Sequence, residues 1–160
     1  MNKEQIRTQI VERLAADLDT IFRAARAAHE AATHEECLPD NKYDTTALEA
    51  SYIAQGQANR AREIRLALES YRTLTLQEFS DITPVRLTAL VELEDDDGNL
   101  RTVFLGPQAG GLRIACGDRE VTVVTPRSPL GSSLLGKCVG DELEVDGDSS
   151  TRLFTILAIR

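Results

Sequence analysis

Tryptophan is absent from this chain of 160 residues, and aromatics are limited to four phenylalanines and three tyrosines. Aliphatic side chains must therefore do most of the packing, and 42% hydrophobic content is enough for a core. Cysteine is also scarce. Cys37, Cys116 and Cys138 are an odd set without CxxC spacing, which suits a reducing compartment better than a disulfide framework. No apolar run approaches the roughly 20 residues of a membrane helix, and MNKEQIRTQI lacks the apolar core of a signal peptide. A soluble, cytoplasmic protein without membrane association is expected. Positive charge is in deficit, with a formal net charge of −8. This argues against wrapping nucleic acid, which requires neutralising phosphates; it leaves open a basic partner or a metal cation. The only two histidines are His29 and His34. No Ser-His-Asp or Cys-His arrangement stands out, so an independent hydrolase is not expected.

The first half has a single proline, Pro39, within the stretch THEECLPDNKYDTTALEAS (33–51). Before it, Ile6, Ile10, Leu14, Leu18, Ile21, Ala25, Ala28 and Ala32 recur at spacings of three or four, one stripe of a helix over about 3–36. After it, Ala47, Ala50, Ala54, Ala58, Ala61, Ile64, Leu68 and Tyr71 form a second stripe over about 44–72. Asp44, Thr45 and Thr46 offer N-cap oxygens at its start. Two long helices joined by a short turn lie antiparallel. The chain then begins as a coiled-coil hairpin, residues 1–74, with an acidic tip near 35–44. Both stripes taper to alanine toward that tip, and Gly56 sits in the second; close packing of the two helices there is the expectation.

After Pro84 the period becomes alternating. Val85–Leu93 reads as a strand, Asp95-Asp96-Asp97-Gly98-Asn99 as a turn, and Leu100–Leu105 as the returning strand. Shorter strands are expected at 112–115, 121–125, 143–145 and 153–159, with a helical turn or two at 132–135. Residues 75–160 thus form a small, mostly antiparallel α+β domain with one short helix.

Within it, Val124-Thr125-Pro126-Arg127-Ser128-Pro129-Leu130-Gly131-Ser132-Ser133-Leu134-Leu135-Gly136-Lys137-Cys138-Val139-Gly140-Asp141 resembles the signature of the Gre family of bacterial transcription elongation factors. Ser128-Pro129-Leu130, Leu134-Leu135-Gly136-Lys137 and Val139-Gly140-Asp141 fit it in order and spacing, and the arm with Gln55-Gly56 matches the family's coiled coil. The resemblance implies an FKBP-like C-terminal domain docking at the secondary-channel rim of bacterial RNA polymerase. Ser128, Pro129, Leu130, Leu134, Asn41 and Tyr43 would be the partner-binding residues. It further implies that tip acids Asp44 and Asp40 help hold a second Mg²⁺ in the polymerase active centre, promoting cleavage of backtracked RNA at its 3′ end. The chain would be a monomer, would bring no cofactor of its own, and would activate another enzyme instead of being one.

The tip departs from the family's D-x-x-E followed by Asn. Aligned on Gln55-Gly56, Asn41 stands at the first acid, Asp44 at the second and Thr45 at the Asn; Asp40 is adjacent. One alternative is therefore a channel-binding modulator without cleavage. Nucleoside diphosphate kinase regulators share the C-terminal domain but have a shorter arm. A prolyl isomerase needs an aromatic pocket, and this domain has only Phe79, Phe104 and Phe154. Plainer readings stand beside these: Asp44 as a helix cap, Asp95–Asp97 as a solvated turn lacking the spacing of a calcium loop, and His29, His34 and Cys37 as too few ligands for zinc.

Overall fold

The computed structural model describes residues 2–33, 45–80, 82–146 and 151–160, with the backbone alone for 31–33 and 45–52. Helix α1 (Lys3–Thr33) and helix α2 (Thr45–Arg72) fall within the expected ranges. Residues 34–44, which hold the expected tip, lie outside the described residues. Asn2 caps α1. Its side-chain oxygen accepts from the Glu4 amide at 2.9 Å, and its carbonyl accepts from Ile6 N at 3.2 Å. These satisfy two groups near a helix start that the helix itself leaves unpaired.

A six-stranded sheet follows: β1 (Leu90–Asp95), β2 (Leu100–Leu105), β3 (Arg113–Cys116), β4 (Arg119–Val124), β5 (Glu142–Asp146) and β6 (Thr151–Ile159). Helix α3 (Pro129–Leu134) lies between β4 and β5 in sequence. The strand order is β3-β4-β2-β1-β6-β5, antiparallel throughout except for β2 with β4. The architecture is thus a helical region followed by a mostly antiparallel sheet. The chain divides into two compact units, Met1–Ile10 with Ser70–Arg160, and Val11–Glu69.

In the sheet unit both faces are used. Val91, Leu93, Val103, Leu105, Val124, Phe154, Ile156 and Ile159 form one core with Leu134 of α3. Strand alternation turns Leu90, Phe104, Ile114, Val121 and Val123 to the opposite face, where they too are buried. That face is closed by the start of α1 and the end of α2, whose Ile6, Ile10 and Tyr71 are fully buried. Gln9 Oε1 accepts from the Cys116 thiol at 3.6 Å, and the Tyr71 hydroxyl donates to Gln108 O at 2.9 Å. Burial raises the pKa of both the Cys116 thiol and the Tyr71 hydroxyl. A Cβ at Gly106 would lie 2.0 Å from the Tyr71 hydroxyl, so only glycine lets that ring lie against β2's end.

Three local expectations change. Residues 85–89 are not strand: Thr88 adopts φ 74°, and Ala89 N donates to Arg86 O at 3.0 Å, closing a turn. A β-branched residue in the left-handed region is strained. Thr88 is held there by Leu105 O, which accepts its amide at 2.8 Å, and by Gln77 N, which donates to its hydroxyl at 2.9 Å. Helix α3 begins at Pro129, three residues before the expected 132, because Ser128 caps it. The third change lies in the arm unit. Ala25, Ala28, Ala54 and Ala58 are exposed, and with Ile21, Phe22 and Ile53 they line an open groove of about 600 Å³. Among the described residues, a Cβ on Gly56 would meet nothing within 4 Å. Methyl groups are too short to close the space between the helices, so Gly56 marks no close approach.

Candidate functional site

The stretch from Thr125 to Asp141 is a chain of backbone constraints. Ser128, extended at φ −78° and ψ 151°, is the N-cap of α3. Its hydroxyl accepts from Gly131 N at 3.1 Å and donates to Thr125 O at 2.8 Å. Pro129 occupies the first turn, where a missing amide costs nothing. Gly131 is fixed by sterics, since a Cβ there would lie 2.0 Å from Thr125 O. Leu134 is fully buried in the core, and Leu130 packs against that core half-buried.

Gly136, at φ 78°, ends the helix and donates to Val85 O at 2.9 Å, while Val85 N donates to Lys137 O at 2.7 Å. Asp141 closes the next turn by accepting from Cys138 N at 2.8 Å. Gly140 N donates to Ile156 O at 2.8 Å and Ile156 N to Asp141 O at 3.0 Å, tying the turn to β6. Most of the motif's residue types thus answer a backbone requirement. The side chains left at the surface are Arg127, Pro129, Ser132 and Leu135, the last 42% exposed. Beside them Pro107, Gln108, Gly110, Thr125 and Arg127 border a groove of about 520 Å³.

Of the expected partner-binding residues, the structure therefore brings Ser128, Pro129, Leu130 and Leu134 together on one short helix. Asp40, Asn41, Tyr43 and Asp44 lie outside the described residues, as do His34 and Cys37. Among the described residues no group of three or more His, Cys, Asp or Glu could hold a metal ion. Asp95 builds its turn by accepting from the Asn99 amide at 2.8 Å and from Asp97 N at 3.1 Å. Those bonds from Asn99, then Asp97, lower its pKa. Among the described residues no helix is long and apolar enough to cross a membrane.

Two clusters escaped the sequence reading. Glu92 on β1 accepts from Arg160 at 2.6 Å and from Arg119 at 3.1 Å. The Arg160 hydrogen bond is the main cause of its lowered pKa, burial opposes it, and the charges of Arg160 and Arg119 add to the lowering. Two cations lie within reach of the Phe79 ring: the Lys3 ammonium, 4.5 Å from its centroid, and the Arg86 guanidinium at 5.4 Å. Lys3 also donates to Gln77 O, and burial lowers its pKa against the raising effect of Glu78. Glu92 and Arg160 are 68 positions apart, and both long helices separate Lys3 from Phe79 in sequence; no local pattern signals these pairs.

Residues 81–160 match the family model described as transcription elongation factor GreA/GreB, C-terminal. Over 135 residues the chain is 30% identical to the transcription elongation factor GreA of Acidiphilium cryptum and 26% identical to that of Rhodospirillum rubrum, in each case covering 84% of this chain and 80% of the relative. A crystal structure of Thermus aquaticus Gfh1 matches with 23% identity and a TM-score of 0.40, covering 93% of this chain and 92% of that one.

Proposed function

Because this chain belongs to the GreA/GreB family of transcription elongation factors, we propose that it binds bacterial RNA polymerase at the rim of the secondary channel and promotes cleavage of backtracked RNA. The observation that carries this reading is the ordered motif 128–141, folded as one capped helix and one tied turn within the matched residues. In this reading the sheet domain is FKBP-like and docks through the surface around Pro129. Helices α1 and α2 form an antiparallel coiled-coil arm that carries Asp40 and Asp44 to the polymerase active centre.

The chain is then an activator, not an enzyme. Carboxylate oxygens are hard donors that suit Mg²⁺, so Asp44 with Asp40 would hold a second Mg²⁺ shared with the polymerase. That ion, when bound, supplies charge stabilisation for phosphodiester hydrolysis. The chain's own contribution is to present the two carboxylates and to position them by docking.

The test is RNA 3′-end cleavage in backtracked complexes of the cognate polymerase, comparing the native chain with Asp40→Asn/Asp44→Asn. The expected result is strong acceleration by the native chain, lost in the double variant while binding is kept. A second reading, a channel modulator without cleavage, draws on Asn41 at the family's first acid position. It predicts competition with a channel-binding factor and no acceleration by either chain. Neither acceleration nor competition would end both readings.

A further inference from the structure

The sheet face closed by Ile6, Ile10 and Tyr71 over β2, β3 and β4 is uncovered at its other corner. Register places Leu100 of β2, Glu94 of β1, Thr155 of β6 and Glu142 of β5 in one row across four strands. Leu153 stands opposite Glu144 on the same face. The register shift between Glu92 and Leu93 leaves Leu157 as the extra residue of β6, two positions from Thr155 and on its side of the sheet.

Leu100 is 68% exposed and Leu157 41% exposed, while Leu153 is half-buried. Single exposed leucines need no explanation; here three stand on one corner of a sheet, interleaved with Glu94 and Thr155 instead of touching one another. The acids around it are of two kinds. Glu92 is neutralised by Arg119 and Arg160. Glu94, Glu142 and Glu144 form no ion pair among the described residues, and the latter two are exposed. Leucines interleaved with unneutralised carboxylates toward β5 and β6 are complementary to a segment that carries lysine or arginine among aliphatic side chains, while Arg101, Arg113 and Arg119 border Leu100 on its other side.

We propose that this corner is a second docking surface, receiving a basic, aliphatic-faced segment of the polymerase. The inference rests on the polymerase-binding reading above. It assigns the sheet domain two separate contacts, one around Pro129 and one around Leu100 and Leu157.

The experiment is fluorescence anisotropy with the cognate core polymerase at low and moderate salt. The native chain is compared with Leu100→Ser/Leu157→Ser and with Glu94→Gln/Glu142→Gln/Glu144→Gln, and sedimentation of each is measured. All five side chains lie outside the two cores, so thermal melting should be unchanged. The leucine variant is expected to bind about tenfold more weakly, the order seen when central apolar contacts are removed. The charge variant should bind a few-fold more weakly and show a flatter salt dependence. Native binding that both variants reproduce within twofold overturns the inference. So does a native dimer that the leucine variant dissolves, since a second copy would then be the occupant. Failure of the native chain to bind polymerase at all would instead refute the underlying reading, and this one with it.

Discussion

The two ends of the helical stripes behave differently although their periodicity is the same. Ile6, Ile10 and Tyr71 are fully buried, whereas Ala25, Ala28, Ala54 and Ala58 continue the same stripes and are exposed. Spacing decides which face of a helix looks inward; whether that face is buried depends on what meets it, since Ala61 on the same stripe is buried while Ala54 and Ala58 are not. Large residues meet the sheet and close its second face. Small ones leave an open groove in the arm unit. The stability of α1 and α2 should therefore be concentrated in the turns that carry large side chains.

The largest effect should come from the backbone-limited part of the sheet unit. Gly131→Val forces a side chain into Thr125 O, where even a Cβ would lie at 2.0 Å. A loss of about 3 kcal/mol or more is expected, read from the urea midpoint. Next comes the comparison itself. Ile10→Ala removes a fully buried side chain and should cost about 2–5 kcal/mol, whereas Ala28→Ser should stay within about 0.5 kcal/mol. Equal losses at the two positions would break the contrast.

Gly56→Ala sharpens it further. With nothing within 4 Å of the added Cβ, the substitution should raise stability by about 1 kcal/mol through helix propensity alone. A loss would mean that the second helix does pack closely there. The smallest effect is a pH dependence in the sheet unit. The Glu92 carboxylate has a folded pKa below its ordinary value, so its contribution is present in full above the unfolded-state value of about 4.3 and fades as pH falls through the lowered one. Glu92→Gln should remove that part of the acid slope and leave the slope near neutral pH unchanged, as pH-dependent urea titrations would report.

Much of this fold was legible in local pattern. Both helices follow from apolar residues at spacings of three and four without an internal proline, and β2 occupies the expected Leu100–Leu105. What failed depended on partners distant in sequence. Val85–Ala89 alternates as a strand does, yet Thr88 is bent by its bonds to Leu105 and Gln77. Gly56 reads as a packing glycine because a glycine in a helix usually has a steric reason; among the described residues no neighbour supplies one. The motif at 128–141 was recognisable by its order, but its reasons appear only in three dimensions. Ser128 serves as a cap, Gly131 avoids Thr125 O, and Asp141 closes a turn. The acidic residues Asp40 and Asp44 were legible as charge, and their placement lies outside the described residues.

The proposed function requires residues near Asp40 and Asp44 to enter the polymerase secondary channel. Cys37 lies close to them in sequence, which permits a direct measurement. With Cys116→Ser and Cys138→Ser in the background, an iron chelate attached at Cys37 would generate hydroxyl radicals in the complex with the cognate polymerase. Entry of the tip would confine polymerase cleavage to the segments lining the secondary channel and active centre. Cleavage confined to the outer surface, or none from a complex that demonstrably forms, would contradict it.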